Sequence, residues 1–255
     1  AYTLQSAAQH HLPVIVLDRP APLDGIHVEG PPLAPEEQSF VGYFPGMPVR
    51  NGMTVGELAQ LFNKSIGANL LVIPMQGWSR GDFYDETGLP WTAPSPNLRN
   101  LTEAVLYPGV ALVEATNVSV GRGTDTPFEL LGAPWINAVE FAAALNARRL
   151  PGVRFMPTSF IPASSQYAGQ LCHGISLIVT NRETLGAPEM GIEIASALAR
   201  LYPQQWDSSA MHQLAGSQAL VDAIRSGEDP RAIAQGWDDS LTDFETLRQP
   251  FLIYH

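Results

Sequence analysis

Two short aliphatic runs on either side of one capped helix decide most of what this chain can fold into. "LPVIVLDRP" (12–20) and "NLLVIPMQGW" (69–78) are dominated by Val, Ile and Leu, the pattern of parallel-sheet strands buried on both faces. Between them, "MTVGELAQLFNKSIG" (53–67) repeats Leu58, Leu61, Phe62 and Ile66 at helical spacing. Thr54 and Glu57 are placed for a capping box at its start, and Gly67 for a terminal glycine. Residues 21–52, rich in proline and glycine, read as a long ordered loop. Strand, loop, helix and strand make one unit of an α/β sheet.

A polar, aromatic loop follows (77–108), and then an apolar stretch, "GVALVEATN", is expected as a third strand. Ligands of open α/β sheets sit beyond the carboxyl ends of the strands. The three strands would deliver Asp18–Arg19, Gln76–Trp78 and Glu114–Asn117 to such ends. The character of the chain then changes. "WINAVEFAAALNARRLPG" predicts a helix capped by Asn137 and Glu140 and closed by Pro151-Gly152. Two strands, "VRFMPTSFIP" and "HGISLIVTN", are followed by helices near 188–202, 208–226 and 229–248. The expected fold is therefore α/β, with an open-sheet domain over 1–122 and a smaller α+β domain over 123–255.

With 255 residues, 45% of them hydrophobic, either one large or two smaller cores can be buried. Fourteen basic residues against 25 acidic ones give a formal charge of −11 and no basic run, which argues against nucleic acid as a partner. No apolar run is long enough to span a bilayer, so no membrane insertion is expected. The single cysteine, Cys172, rules out an internal disulfide and a Cys-rich zinc site. The six histidines show no ligand spacing, and "GRGTDT" is neither a P-loop nor a dinucleotide fingerprint. A metal site is therefore not expected.

Carboxylates remain as candidates for acid/base chemistry. Glu114 closes the expected third strand and opens a polar turn, a place suited equally to chemistry and to structure. Glu29 sits in "HVEGPPL", a stiff Gly-Pro loop of the kind that often carries function. Glu57 reads as a helix cap, and Asp18 beside Arg19 as a structural ion pair. The stretch "VEATNVSVGRGTDTPFELLGAPW" (113–135) holds Asn117, Ser119, Arg122 and Thr124 among small residues, more hydrogen-bonding groups than a turn requires. Arg50 and Arg122 stand out in a chain so poor in bases; each could clamp a substrate carboxylate or pair with a neighbouring acid. Trp78, Tyr84 and Trp91 could stack on a sugar ring or plug the seam between the domains.

Read together, "VIVLDRP", "VEGPPL", "SFVGYFPGMPVRNGMTVGELAQLFN", "MQGWSR", "TGLPWTAPSPN", "YPGVALVEATNVSVGRGTDTPFELLGAPW", "YAGQLCHGISLIVT" and "FETLRQPFLIYH" resemble the NamZ-type exo-β-N-acetylmuramidases, in the same order along the whole chain. The resemblance implies a Rossmann-like domain, of which residues 1–122 would be the later part, and a C-terminal α+β domain with the active site in the cleft between them. It implies release of N-acetylmuramic acid from non-reducing ends of peptidoglycan fragments, without metal or organic cofactor, in the periplasm or outside the cell. It further implies that the chain corresponds to the C-terminal two thirds of such a sequence, the missing N-terminal segment or a second copy being expected as a partner.

Two positions depart from the family pattern. A proposed catalytic glutamate aligns with Gln5, and the histidine usual after "PVR" is Asn51. A glutamine is neither nucleophile nor general base, which leaves Glu114 and Glu29 as the catalytic candidates. For the sugar, its acetamido group and its lactyl carboxylate, the resemblance and the residue types together point to Arg50, Asn97, Asn117, Ser119, Arg122, Thr124 and Trp78. The alternative is a saccharide-binding protein on the same fold that performs no chemistry.

Overall fold

The computed structural model describes residues 1–39 and 42–255; positions 40 and 41 of the expected loop 21–52 lie outside the described residues. Helix α1 (Tyr2–Gln9) precedes β1 (Val14–Leu17). The following segment contains β2 (Glu29–Pro32) and β3 (Pro48–Arg50), an antiparallel ribbon inside what reads from sequence as loop. Helix α2 (Val55–Ile66) then leads into β4 (Leu70–Ile73), which pairs parallel with β1 from Val14↔Leu70 to Leu17↔Ile73. The capping box forms as the sequence predicts, with Thr54 and Glu57 exchanging hydrogen bonds, and Gly67 ends the helix in the left-handed conformation at φ 73°.

Only one face of this parallel pair is covered. Val14, Val16 and Val72 turn toward α2, whereas Ile15 and Leu17 are 62% and 74% exposed, with Leu71 and Ile73 beside them. Burial on both faces, expected from composition, does not occur among the described residues.

The larger correction concerns "GVALVEATN". It is no strand: residues Leu101–Glu114 form helix α3, opened by Asn100 and Glu103 in a second capping box. The helix is apolar on nearly every side, so its sequence lacks the stripe that marks an amphipathic helix and imitates a buried strand. Pro108 lies within it, and Gly109 marks where it meets α5 (Ala187–Leu201). A Cβ on Gly109 would come within 1.9 Å of the Ala187 carbonyl oxygen, and one on Gly191 within 2.3 Å of the Gly109 oxygen. Two glycines therefore let two helix backbones touch.

Around this crossing lies the main core. Strands β5 (Leu130–Ala133), β6 (Val153–Phe160) and β7 (Cys172–Val179) form an antiparallel sheet in the order β5-β7-β6. Helix α4 (Ala138–Ala147), capped by Asn137, and α5 join it through Phe141, Leu145, Phe155, Ile175, Leu177 and Ile194. The helix expected over 208–226 is broken at Gly216 into α6 (His212–Ala215) and α7 (Gln218–Ser226). That over 229–248 is likewise α8 (Pro230–Gln235) and α9 (Asp238–Arg248).

Residues 253–255 return to the first α/β unit. The Tyr254 hydroxyl donates to Asp18 Oδ2 at 2.6 Å and accepts from the Met75 amide, and its ring packs edge-on against Trp78. Burial first, then the hydrogen bond to the Asp18 carboxylate, pushes the Tyr254 hydroxyl up to about 12. A phenol whose folded-state pKa lies above its unfolded value contributes stability that is full below about 10 and is lost as pH rises toward 12. Tyr254→Phe is therefore expected to flatten the alkaline fall in stability between these values, read from urea midpoints across the range; an unchanged slope would place the loss elsewhere.

Candidate active site

The carboxyl end of β1 is organised by Asp18. Its carboxylate accepts from Thr54 Oγ1 at 2.7 Å and from the Gly56 amide at 2.8 Å, holding the N-terminus of α2. Arg19 contributes only its backbone amide to this carboxylate, so the expected Asp18–Arg19 ion pair is replaced by a helix-capping role. From the end of β4, Arg80 reaches Glu57 and takes the carbonyls of Gly25, Gly52 and Tyr254. Arg248 from α9 binds the carbonyls of Gly25, Ile26, Asn51 and Gly52. Two guanidinium groups, Arg248 buried and Arg80 largely so, thus fix the loop that follows β1.

That loop presents a compact charged cluster. Arg50 on β3 is buried and lies between two acids, donating to Asp24 Oδ2 and, at 3.1 Å, to Glu29 Oε2 on β2. Asp24 is almost fully buried; its Oδ1 accepts the amides of Ile26 and His27, both at 2.9 Å, and its Oδ2 meets His27 Nδ1 at 2.8 Å. Burial alone would raise the Asp24 carboxyl, but the His27 amide, the Arg50 charge and the His27 side chain outweigh it and hold it below the usual carboxylate range. Glu29 and the His27 ring remain partly open to solvent.

Across from β2, the first turn of α5 carries Glu189. Desolvation first, and then the charges of Glu29, Glu193 and Asp238, hold its carboxyl above the normal value although the side chain reaches solvent. Glu189 also lines a cavity of about 270 Å³ with Glu193, Arg231 and Asp238. Glu189 thus keeps its proton more readily than a free carboxyl, a property that proton donation requires. Neither Glu189 nor Asp24 and His27 is evident from motif spacing. The one local signal is "DGIH", an Asp whose side chain can bond the backbone two and three residues on.

The polar stretch 113–135 is largely engaged with its own backbone and its neighbours. Glu114 ends α3 and pairs with Arg122, whose guanidinium lies 5.0 Å from the Phe128 ring centre. Asn117 is committed to the backbone, donating to the Gln205 carbonyl and accepting the Asp207 amide, both at 2.7 Å. Ser119 is buried, and its backbone bridges Gly132. Thr124 closes its own turn by donating to the Gly121 carbonyl at 2.6 Å. These side chains hold the segment's own fold. Trp78 is buried under the loop against Gly25 and Tyr254, so it offers no open stacking face. Asn97 is half-buried in the turn Ser95–Leu98 and, among the described residues, shares no hydrogen bond with either cluster. Glu29 and Glu114 belong to separate clusters, with no ion pair or hydrogen bond between them. No group of three or more His, Cys, Asp or Glu among the described residues is arranged to hold a metal ion, and no described helix is long and apolar enough to cross a membrane.

A parallel α/β unit, an antiparallel ribbon carrying a charged cluster, and a helix-packed antiparallel sheet together define a mixed α/β fold. The same fold occurs in two solved DUF1343 family proteins of Bacteroides fragilis. One superposes with a TM-score of 0.91 at 28% identity, over 99% of this chain and 69% of the other; the second gives 0.77 at 27%, with the same coverage. The chain belongs to the exo-beta-N-acetylmuramidase NamZ family: residues 1–102 match the family's N-terminal model and 105–254 its C-terminal model. It is 42% identical over 259 aligned residues to a peptidoglycan beta-N-acetylmuramidase NamZ of Bacillus subtilis, and spans 62% of that protein's length.

Proposed function

We propose that the protein is an exo-acting glycosidase that removes N-acetylmuramic acid from the non-reducing ends of peptidoglycan fragments. The observation that carries this reading is 42% identity, sustained across the whole chain, to a relative bearing that activity in its name. The charged cluster of Asp24, His27, Glu29 and Arg50 supports it, because it gathers ionisable groups with open edges beyond the carboxyl end of β1. Glu29 is the carboxylate at the substrate in this reading. Glu114 is left out, since it pairs with Arg122 in a separate cluster, away from Asp24, His27 and Arg50. Such a substrate lies outside the cytoplasm, so the reaction belongs to wall turnover in the periplasm or beyond the cell.

N-Acetylmuramic acid differs from N-acetylglucosamine by its lactyl carboxylate. The full-length protein is expected to release the muramic sugar from a nitrophenyl glycoside at least ~10-fold faster, judged by kcat/KM, than the glucosamine analogue, since a charge-assisted hydrogen bond contributes about 1.5–3 kcal/mol. Equal rates on the two glycosides would defeat the assignment. Binding of the free sugar without turnover of either glycoside would make the protein a saccharide-binding member of the fold.

A further inference from the structure

We propose that Asp24 and His27 form a proton-accepting dyad in this site, with His27 Nε2 as the base. The inference rests on the glycosidase reading above and assigns a residue to its chemistry. It begins with the hydrogen bonds of Asp24. Both carboxylate oxygens already accept: Oδ1 from two backbone amides, Oδ2 from the Arg50 guanidinium. A carboxylate so surrounded by donors stays ionised, so in the 2.8 Å contact with His27 Nδ1 it is the acceptor and the imidazole is the donor. The Arg50 guanidinium, which could only donate to Nδ1, stands at 3.5 Å and is outweighed by the 2.8 Å bond to Asp24, so Nδ1 carries the proton and Nε2 of the neutral ring holds a lone pair.

That lone pair is available. The His27 side chain is 35% exposed, and no hydrogen bond among the described residues engages Nε2. The surroundings are rigid, because the loop carbonyls on either side are held by Arg80 and Arg248. The charged groups facing the ring are Asp24 at Nδ1, Arg50 at 3.5 Å from the same nitrogen, and Glu29 on the other side of that guanidinium. Asp24 stabilises the imidazolium that forms when Nε2 takes a proton, and Arg50 keeps Asp24 from taking the proton itself.

In hydrolysis the balance is simple. A water molecule bonds to the anomeric carbon as its proton passes to Nε2, and the glycosidic C–O bond breaks with its electron pair leaving on oxygen. A natural leaving sugar then takes a proton from a carboxylic acid; a nitrophenolate needs none. The imidazolium afterwards releases its proton to solvent, and with the natural substrate solvent returns one to the carboxylate, so both groups are restored.

The test uses the full-length protein with a nitrophenyl N-acetylmuraminide, so that only the base is demanded. His27→Ala is expected to lower kcat by ~100-fold or more with little change in KM, the contribution usual for a general base. Added imidazole is expected to restore part of the rate in proportion to its unprotonated fraction. Wild-type activity with His27→Ala retaining kcat within threefold, or losing it without imidazole rescue, overturns the dyad and leaves the glycosidase reading standing. A wild type without turnover overturns the glycosidase reading instead. The dyad is then decided by nitrogen-15 NMR of the ring, where an Nδ1–H, Nε2-unprotonated tautomer is expected above the titration and the opposite tautomer rules the dyad out.

Discussion

Gly109→Ala is expected to destabilise the protein by about 3 kcal/mol or more, at or beyond the upper end of overpacking effects. On an exposed helix the same change would stabilise by about 1 kcal/mol, because alanine is the better helix former. The sign reverses here because the new methyl would sit 1.9 Å from the Ala187 carbonyl oxygen and 3.0 Å from Met190 Cε. A side chain could swing aside, but the first obstacle is the backbone of α5. Relief requires the helices to separate, and that opens the core around Leu106, Val110, Ile194 and Leu198. Urea unfolding of the variant gives the answer directly. A midpoint equal to or above wild type would mean that α3 and α5 stand farther apart than the glycine pair indicates.

Glu57→Ala should be comparably damaging, by about 3–5 kcal/mol, the usual result of removing one partner from a buried ion pair. Glu57 is fully buried and does four things at once. It pairs with Arg80, accepts the Thr54 amide at 2.9 Å, accepts the Ile253 amide at 2.8 Å, and donates its own amide to Thr54 Oγ1. Alanine keeps only the last. Arg80 would be left with its carbonyl acceptors but no counter-charge, and α2 would lose half of its capping box. Glu57→Gln retains an acceptor oxygen and should fall between wild type and Glu57→Ala in denaturant midpoint. A loss below about 1 kcal/mol for the alanine variant would show the pair to be solvated, as surface pairs are.

What could be read from the sequence followed the length scale of the cause. The capping box at Thr54–Glu57, the Gly67 terminus and the Asn137 cap rest on residues a few positions apart, and the strands β1 and β4 on short aliphatic runs; all are legible. Helix α3 is not, because being buried on nearly all sides removes the polar stripe that separates helix from strand, and Pro108-Gly109 discourages a helical reading. Its start was nonetheless marked by Asn100 and Glu103, spaced as Thr54 and Glu57 are. Glycines 216 and 236 divide helices that read as continuous.

At the site, Glu29 and Arg50 can be picked out by residue type, but their pairing joins positions 21 apart and needs the ribbon to bring them together. The polar stretch 113–135 likewise takes part of its role from distant residues. Its hydrogen-bonding groups are numerous because that segment must satisfy itself and residues 205–207, which no local pattern announces.

The bond from Tyr254 to Asp18 links positions 236 apart. A contact that distant is among the slowest to form, since the intervening chain must first be ordered. During synthesis, at about 5–20 residues per second, residues 14–73 emerge on the order of ten seconds or more before Tyr254 does. Through that interval Asp18, the Met75 amide and the Glu57 acceptor for Ile253 lack their final partners. This earlier-made unit is therefore among the last to be sealed, and its order of completion runs against its order of appearance.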